Sequence, residues 1–384
     1  MRVVMVMSMS VSVSMRVVMS MSVVMSMRVA MPSLAALRIG ALLRREVLGH
    51  HPLRDREHDA RDLTRRQVIQ NFHLLVDRAC GRTLARRRRL RGRLLAARTG
   101  CEIWVKHENH TPIGAFKVRG GLVYLERLKQ RAAGTKGVIS ATRGNHGQSI
   151  ALAARRTGIA ATIVVPHGNS REKNAAMRAF GAELVEAGHD FDAARETALR
   201  LAGERGLTMV PSFHRDLVAG VASYALELMR SAPPLDTIYV PIGLGSGICG
   251  VIAVRDALGL STKVVGVVST EAPAYALSFA ARKVIATNSA NTMADGMAVR
   301  GPDPEALDII LKGADRIVQV SDAEVTAAMR SYYEDTHQLT EGAGAASLAA
   351  LMQERDRMKG RRIGLILSGG NIDREVYLRA LADA

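Results

Sequence analysis

The sequence is poor in aromatic residues, in cysteine and in long apolar runs. These scarcities argue against a nucleic-acid groove, a disulfide framework and a membrane-spanning helix, respectively. Aromatic residues make up only 4% of the 384 positions. The three cysteines, Cys80, Cys101 and Cys249, have no metal-ligand spacing and cannot all pair, which predicts a reducing, cytoplasmic setting. No run of about 18 or more apolar residues occurs, so we expect no membrane-spanning helix and no membrane partner.

Lysine is absent from the first hundred residues, where arginine supplies the charge. Residues 1–100 hold 20 Arg and 6 acidic residues, a net of +14 out of +17 for the whole chain. A nucleic-acid groove spreads basic residues over the folded body and interleaves them with aromatics. We therefore expect no nucleic-acid partner, although an Arg-rich arm that binds nucleic acid stays open as an alternative.

Residues 1–93 form an N-terminal segment unlike the rest. Residues 1–30 use almost only Met, Val, Ser and Arg, which is typical of low-complexity, disordered sequence. A dense run of arginines lies between residues 82 and 93. We interpret the segment as disordered or, in part, as an extended or frame-shifted start that does not belong to the native protein.

From Leu94 onward, short apolar strands alternate with helical segments. This alternation predicts an α/β protein with parallel sheets and crossover helices. Strands of one sheet are expected on both sides of a central block. The predicted architecture is therefore a small α/β domain, residues 137–215, inserted into a large domain formed by residues 94–136 and 216–384.

A glycine-rich turn, Ile242 to Gly247, joins a predicted strand to a predicted helix. Successive backbone N–H groups in such a turn, with the positive end of the following helix, can hold an anion. Ser246 adds a hydroxyl donor. The turn lacks both the Gly-Lys-Ser/Thr of a nucleoside-triphosphate loop and a dinucleotide fingerprint.

Two further turns and a late polar stretch carry candidate chemistry. Ser140 to Gln148 could hold a carboxylate with its hydroxyls, amide and backbone N–H groups, although an ordinary helix cap would look similar. Lys117 stands between Gly114 and Gly120, and residues 368–371 read SGGN. Together these stretches suggest a lysine that holds an aldehyde cofactor, a loop that holds its phosphate and a hydroxyl that meets its ring nitrogen.

Four blocks in this order resemble the fold-type II pyridoxal-phosphate (PLP) enzymes, and among them the threonine/serine dehydratases and serine racemases. The blocks are Phe116-Lys117, Gly144–Gln148, Gly243–Gly247 and Ser368–Asn371. The resemblance extends from about Leu94 to the C-terminus. It implies the tryptophan synthase β-like architecture, with two parallel-sheet α/β domains and PLP between them.

The resemblance also implies a role for each matching residue. Lys117 is the catalytic residue, which binds the cofactor covalently and then moves the α-proton of the substrate. The implied cofactor-binding residues are Phe116, Lys117, Asn145 at the ring hydroxyl, Gly243, Leu244, Gly245, Ser246 and Gly247 at the phosphate, Gly296, Glu341, and Ser368 at the ring nitrogen. The implied substrate-binding residues are Thr142, Gly144, Asn145 and His146. A neutral serine partner leaves the ring a weaker electron sink, which suits elimination.

The function implied is that of a threonine dehydratase, which forms 2-oxobutanoate and ammonia from L-threonine and can form pyruvate from L-serine. Three alternatives stay open. The protein could racemize serine or threonine, it could dehydrate another β-hydroxy amino acid such as 3-hydroxyaspartate, or it could be a paralogue without catalytic activity. The racemases carry a serine where Arg143 stands, which favours the dehydratase. Gly266 to Ser269 lack the acid of the family's divalent-cation stretch, so we expect no metal site. The resemblance further suggests a homo-oligomer, either a dimer or a tetramer.

Overall fold

Two sheets organise the part of the chain that the computed structural model describes, residues 90–91 and 93–382. The strands are β1 (Leu90–Arg91), β2 (Glu102–His107), β3 (Val138–Ala141), β4 (Ala161–Val165), β5 (Glu183–Glu186), β6 (Thr208–Met209), β7 (Thr237–Pro241), β8 (Lys263–Ser269), β9 (Arg316–Val320) and β10 (Arg362–Leu367). The larger sheet has the order β1-β2-β10-β7-β8-β9, and the smaller has the order β5-β4-β3-β6. All neighbours pair in parallel except β1, which is antiparallel to β2.

At least one helix lies between every two consecutive strands. The helices are α1 (Arg93–Thr99), α2 (Lys117–Arg131), α3 (Asn145–Thr157), α4 (Arg171–Ala179), α5 (Phe191–Arg205), α6 (Arg215–Ser231), α7 (Ser246–Ala257), α8 (Ala274–Ala281), α9 (Pro304–Gly313), α10 (Asp322–Thr336), α11 (Gly342–Gln353), α12 (Arg355–Met358) and α13 (Arg374–Ala382). A short 3₁₀ turn covers Asp295–Met297. Within the described residues, no helix has both the length and the apolar character needed to cross a bilayer.

The predicted α/β class with two parallel sheets is confirmed. All strands of the smaller sheet lie in sequence between β2 and β7 of the larger one. The domain boundaries at 136/137 and 215/216 stay a prediction. Most of the 1–93 segment falls outside the described residues, but β1 pairs with β2 through Leu90 and Arg91.

The core occupies both faces of the larger sheet, because side chains alternate along each buried strand. On β7, Ile238 and Val240 pack into one apolar cluster with α6 and α7, whereas Tyr239 packs into the other with α10 and α11. On β2, Trp104 joins the first cluster, and Ile103 joins the second. Continuous apolar runs rather than alternation therefore identified these strands in the sequence.

Helix boundaries differ from the sequence prediction in two informative places. The spacing of the apolar residues between positions 122 and 128 predicts a helix from Gly120 to Ala132, but α2 begins at Lys117. Because glycine is a poor helix former, the Gly120-Gly121 pair looks like a helix start, although it lies at the end of the first turn of α2. Both glycines serve close packing: a Cβ on Gly120 would lie 2.9 Å from the carbonyl of Leu217, and one on Gly121 would lie 2.2 Å from Ser149 Oγ.

The sequence also predicts one helix from Gly342 to Met358, but the structure has two, α11 and α12, which meet at Glu354. The Glu354 carboxylate accepts hydrogen bonds from Arg316 Nε at 2.8 Å and from Tyr239 Oη at 2.5 Å. These tertiary bonds hold Glu354 at the break, and a periodic pattern contains no sign of them.

A buried ion cluster supports the start of α2. Arg119 donates to both carboxylate oxygens of Glu108 at 2.7 and 2.9 Å and to those of Glu227 at 2.7 and 3.0 Å. Lys106 Nζ also contacts Glu108 at 2.9 Å and Glu227 at 2.8 Å. Since a buried charge is tolerated only when it is paired, this cluster fixes the helix two residues after Lys117.

Candidate functional site

The candidate site lies where three strands of the larger sheet end. Strand β10 pairs in parallel with both β2 and β7, so the carboxyl ends of all three meet at one edge. The chain after β2 leads to Lys117, the chain after β7 forms the glycine turn, and Ser368 follows β10 directly. Loops at the carboxyl ends of parallel strands are the usual ligand sites of open α/β sheets.

Lys117 is the first residue of α2 and points at the start of α7. Its Nζ atom lies 3.3 Å from Ser246 Oγ and 5.1 Å from the centroid of the Phe116 ring. Its backbone carbonyl accepts a hydrogen bond from Ser149 Oγ at 2.6 Å. Burial lowers the pKa of the Lys117 amine to about 8, although the charge of Glu341 acts in the opposite direction. A minor but reactive fraction of the amine is therefore in the free-base form near neutral pH.

The glycine turn forms a concave cradle at the N-terminus of α7. Gly245 has φ +98°, a left-handed conformation that favours glycine. A Cβ on Gly243 would lie 2.4 Å from the carbonyl oxygen of Gly296, so only glycine fits there. The Leu244 carbonyl accepts a hydrogen bond from Tyr275 Oη at 3.0 Å. The turn is thus held in place by the chain around it.

The Thr142–His146 loop lies at the end of β3 and begins α3. Thr142 Oγ1 accepts hydrogen bonds from the backbone N–H groups of Gly144 and Gly147, at 2.9 and 3.3 Å. Burial, followed by the charge of Lys117, lowers the pKa of His146 to about 3, so its imidazole is neutral. His146 Nε2 is buried and has no partner within the described residues. Such an atom is costly unless a ligand completes it.

Asn145 and Glu341 join the two sheets at the site. Asn145 Nδ2 donates to Glu341 Oε1 at 2.7 Å, and Asn145 Oδ1 accepts from Asn371 Nδ2 at 2.8 Å. Glu341 is buried at the N-terminus of α11. The orientation of the Asn145 amide is therefore fixed by hydrogen bonds at both its nitrogen and its oxygen.

Ser368 is buried beside the same elements. Its carbonyl accepts from the backbone N–H of Phe116 at 3.0 Å, and Ala115 forms an isolated bridge with Gly369. The backbone N–H of Glu341 donates to the Gly369 carbonyl at 3.1 Å. The structure thus brings together all the residues that the sequence predicted for the site; the roles assigned to them stay predictions.

Two charged residues of the site were missed. Lys173 on α4 contacts Asp295, which precedes Gly296, and its Nζ lies 3.6 Å from Glu341 Oε2. The signal for Lys173 was its place four residues before the buried Met177 on one helix face. Asp295 is adjacent to a predicted residue. Arg143, in contrast, is exposed.

The donor set fits a phosphorylated aldehyde such as PLP. The Lys117 amine and the positive N-terminal end of α7 converge on one point. Among the described residues, Lys117 Nζ forms no ion pair that would balance them. An anion at the cradle would satisfy both groups, and an amine with a pKa of about 8 is a suitable partner for an aldehyde.

Comparisons with known proteins agree with this arrangement. A sequence model of the family described as pyridoxal-phosphate dependent enzymes matches residues 83–369. The match therefore begins about ten residues earlier than Leu94, the start that we predicted from the sequence. The chain is 34% identical over 281 residues to an L-threonine ammonia-lyase of Thermotoga maritima. The aligned region covers 73% of this chain and 70% of that enzyme.

Two further comparisons bear on the substrate. An L-threo-3-hydroxyaspartate ammonia-lyase of a Pseudomonas species is 33% identical over 290 residues, covering 75% of this chain and 91% of that enzyme. The structure of the processed form of threonine deaminase isoform 2 from Solanum lycopersicum superposes with a TM-score of 0.75. It shares 26% identity and covers 88% of this chain and 98% of that one.

Proposed function

The chain belongs to the pyridoxal-phosphate-dependent enzyme family, and on that premise we propose that it is a threonine ammonia-lyase. It converts L-threonine to 2-oxobutanoate and ammonia, and L-serine to pyruvate. The observation that carries the proposal is the position of the Lys117 amine, 3.3 Å from Ser246 at the start of the helix that follows the glycine turn. The likeness to L-threonine ammonia-lyases supports the choice of substrate.

The chain supplies a holder for each part of the cofactor. Lys117 Nζ would hold the aldehyde carbon, and the backbone N–H groups of Gly243–Gly247 with Ser246 Oγ would hold the phosphate. Asn145 and Ser368 would meet the ring. When bound, PLP supplies a ring that accepts electrons and so acidifies the α-carbon of an amino acid.

The chemistry on the substrate falls to Lys117 and the Thr142–His146 loop. Neutral His146 and the loop N–H groups position the substrate carboxylate at the start of α3. Once the amino group of the substrate has displaced it from the aldehyde carbon, Lys117 Nζ would remove the α-proton, because burial keeps part of this amine unprotonated near neutral pH. The β-hydroxyl leaves as water after taking up a proton, and the resulting enamine hydrolyses to the 2-oxo acid and ammonia.

A second substrate is favoured by two observations. The relative that acts on L-threo-3-hydroxyaspartate matches over 91% of its length. Arg143 is exposed directly before the Gly144–His146 part of the loop, where a cation would attract a second carboxylate. Dehydration of L-threo-3-hydroxyaspartate is therefore the alternative, and the same residues would carry it out.

A 2-oxo acid assay on the full-length protein tests both substrates. The panel contains L-threonine, L-serine and L-threo-3-hydroxyaspartate, and chiral analysis of the remaining amino acid detects racemization. We expect the highest kcat/KM with L-threonine and no 2-oxo acid from the Lys117→Ala variant. Preference for hydroxyaspartate in the wild type, reduced in Arg143→Ala, would select the alternative. Absence of 2-oxo acid from every substrate would refute the ammonia-lyase.

We further infer that the protein is a cytoplasmic homo-oligomer, a dimer or a tetramer, without a nucleic-acid partner. The small number of cysteines supports a reducing compartment. Light scattering of the protein as it elutes from a size-exclusion column measures its molar mass and so its oligomeric state. The mass of a monomer would contradict the inferred dimer or tetramer.

A further inference from the structure

Lys173 brings a buried positive charge to the site from the neighbouring sheet unit. It lies near the start of α4, where its backbone N–H is capped by Ser170 Oγ at 3.1 Å. Its Nζ atom donates to Asp295 Oδ2 and lies 3.6 Å from Glu341 Oε2. The side chain is only 6% exposed, so its charge is compensated by protein groups and not by water.

The methylene chain of Lys173, like its ammonium group, is in close contact with the protein around it. A Cβ on Gly144 would lie 2.4 Å from Lys173 Cδ, so the methylene chain rests against the backbone of the candidate carboxylate-binding loop. Gly144 is therefore required for this approach.

Glu341 is the group that this charge acts on. It is buried, and burial raises the pKa of its carboxyl, whereas the charge of Lys173 lowers it and that of Asp295 raises it. The charge of Glu341 also raises the pKa of the Lys117 amine, against the effect of burial. Ionised Glu341 accepts the hydrogen bond from Asn145 Nδ2 at 2.7 Å, and a charged acceptor strengthens such a bond.

We propose that Lys173 is a positioning residue that favours the ionised form of the Glu341 carboxylate, which accepts the hydrogen bond from the Asn145 amide. Lys173 and Asn145 come from the chain of the smaller sheet, whereas Glu341 and Asp295 belong to that of the larger sheet. The contact of Lys173 with Asp295 and Glu341, which joins the two sheet units, therefore influences the charge of the Glu341 carboxylate. The inference rests on the proposed function only in that Asn145 and Lys117 serve the cofactor.

The protonation of Glu341 is measurable without catalysis. Difference infrared spectra of the full-length holoenzyme over a pH series report the C=O band of a protonated carboxylic acid, and Glu341→Gln assigns it. We expect the Glu341 band to persist to a pH at least about one unit higher in Lys173→Gln than in the wild type. Asp295→Asn removes a like charge and shifts the band in the opposite direction.

Two variants separate charge from structure. Lys173→Arg keeps the positive charge and is expected to leave the band near its wild-type pH. Arg171→Gln, on the same helix, removes an exposed ion pair with Glu375 and is the matched control, with no expected shift. The acid limb of the kcat/KM profile should move with the band, so kcat/KM on that limb falls about tenfold in Lys173→Gln.

The result that overturns the proposal is a Glu341 band that titrates at the same pH in Lys173→Gln and in the wild type. A shift in the same direction for Asp295→Asn and Lys173→Gln would equally exclude charge as the cause. If the wild type deaminates no substrate of the panel, the proposed function fails, but the infrared result still decides the role of Lys173.

Discussion

The Nζ atom of Lys117 lies 3.3 Å from the Oγ atom of Ser246, at the first residue of helix α7. The amine thus stands where the positive end of the helix dipole also points. Both groups disfavour a further positive charge and favour an anion. This pair of residues is the physical basis for placing a phosphorylated aldehyde here.

The lowered pKa of Lys117 predicts an amine that reacts near neutral pH. Below a pH of about 8 the amine is mostly protonated, and above it the free base predominates. Acetylation of the cofactor-free protein, followed peptide by peptide with mass spectrometry, should therefore reach half of its maximal rate at Lys117 near pH 8. A half-maximum near the ordinary lysine pKa of about 10.4 would contradict burial as the controlling factor.

Gly245→Ala should weaken cofactor binding without abolishing the fold. Gly245 has φ +98°, and an added Cβ would lie 2.7 Å from Ala306 Cβ. Relief of this strain, about 1–3 kcal/mol, displaces the N–H groups of the cradle. We expect the Kd for PLP, from absorbance titration of the cofactor-free protein, to rise roughly 10- to 100-fold.

The matched control for Gly245 is Gly158→Ala. Gly158 has φ +75° at the end of α3, and no atom lies within 4 Å of the added Cβ. That variant should lose stability but keep its affinity for PLP. Equal weakening of PLP binding in both variants would show that the loss reflects general destabilisation.

Glu108→Gln should destabilise the fold and change its response to acid. Burial alone would raise the pKa of Glu108, but the charges of Arg119 and Lys106 outweigh burial and lower it to about 2. The ionised form is therefore bound more tightly in the folded state. Its contribution is complete above the ordinary glutamate pKa of about 4.3 and is lost as the pH falls toward 2.

Urea unfolding at pH 7 and at pH 3 measures this contribution. Removing one partner of a buried ion cluster costs about 3–5 kcal/mol at pH 7. The difference between wild type and Glu108→Gln should shrink at pH 3. Glu204→Gln breaks an exposed pair with Arg200 and should change the free energy of unfolding by less than about 1 kcal/mol. A constant difference at both pH values would exclude the ionised carboxylate as its source.

The strands and the site loops were predictable from sequence because their signals are local. The buried strand β10, Arg362–Leu367, reads in the sequence as a short apolar run. The tight glycine turn was predictable from its composition, since only glycine fits at Gly243 and Gly245. Each of these features depends on a few consecutive residues.

Features that depend on tertiary contacts were not predictable in the same way. Helix α6, Arg215–Ser231, was not predicted, and its burial over most of its length comes from packing against α2 and α7. The pairing of Lys173 with Asp295 joins residues 122 positions apart. Nothing in either local sequence specifies the other, so the charge balance around Glu341 became visible only in the fold.

The most direct test of the account is the position of the cofactor on the chain. Borohydride reduction of the full-length holoenzyme fixes any bond between a lysine amine and PLP, and peptide mapping then locates it. We predict one PLP adduct per chain, on the peptide that contains Lys117, and none in Lys117→Ala. An adduct on another lysine, or no adduct in a protein loaded with PLP, would contradict the central role given to Lys117.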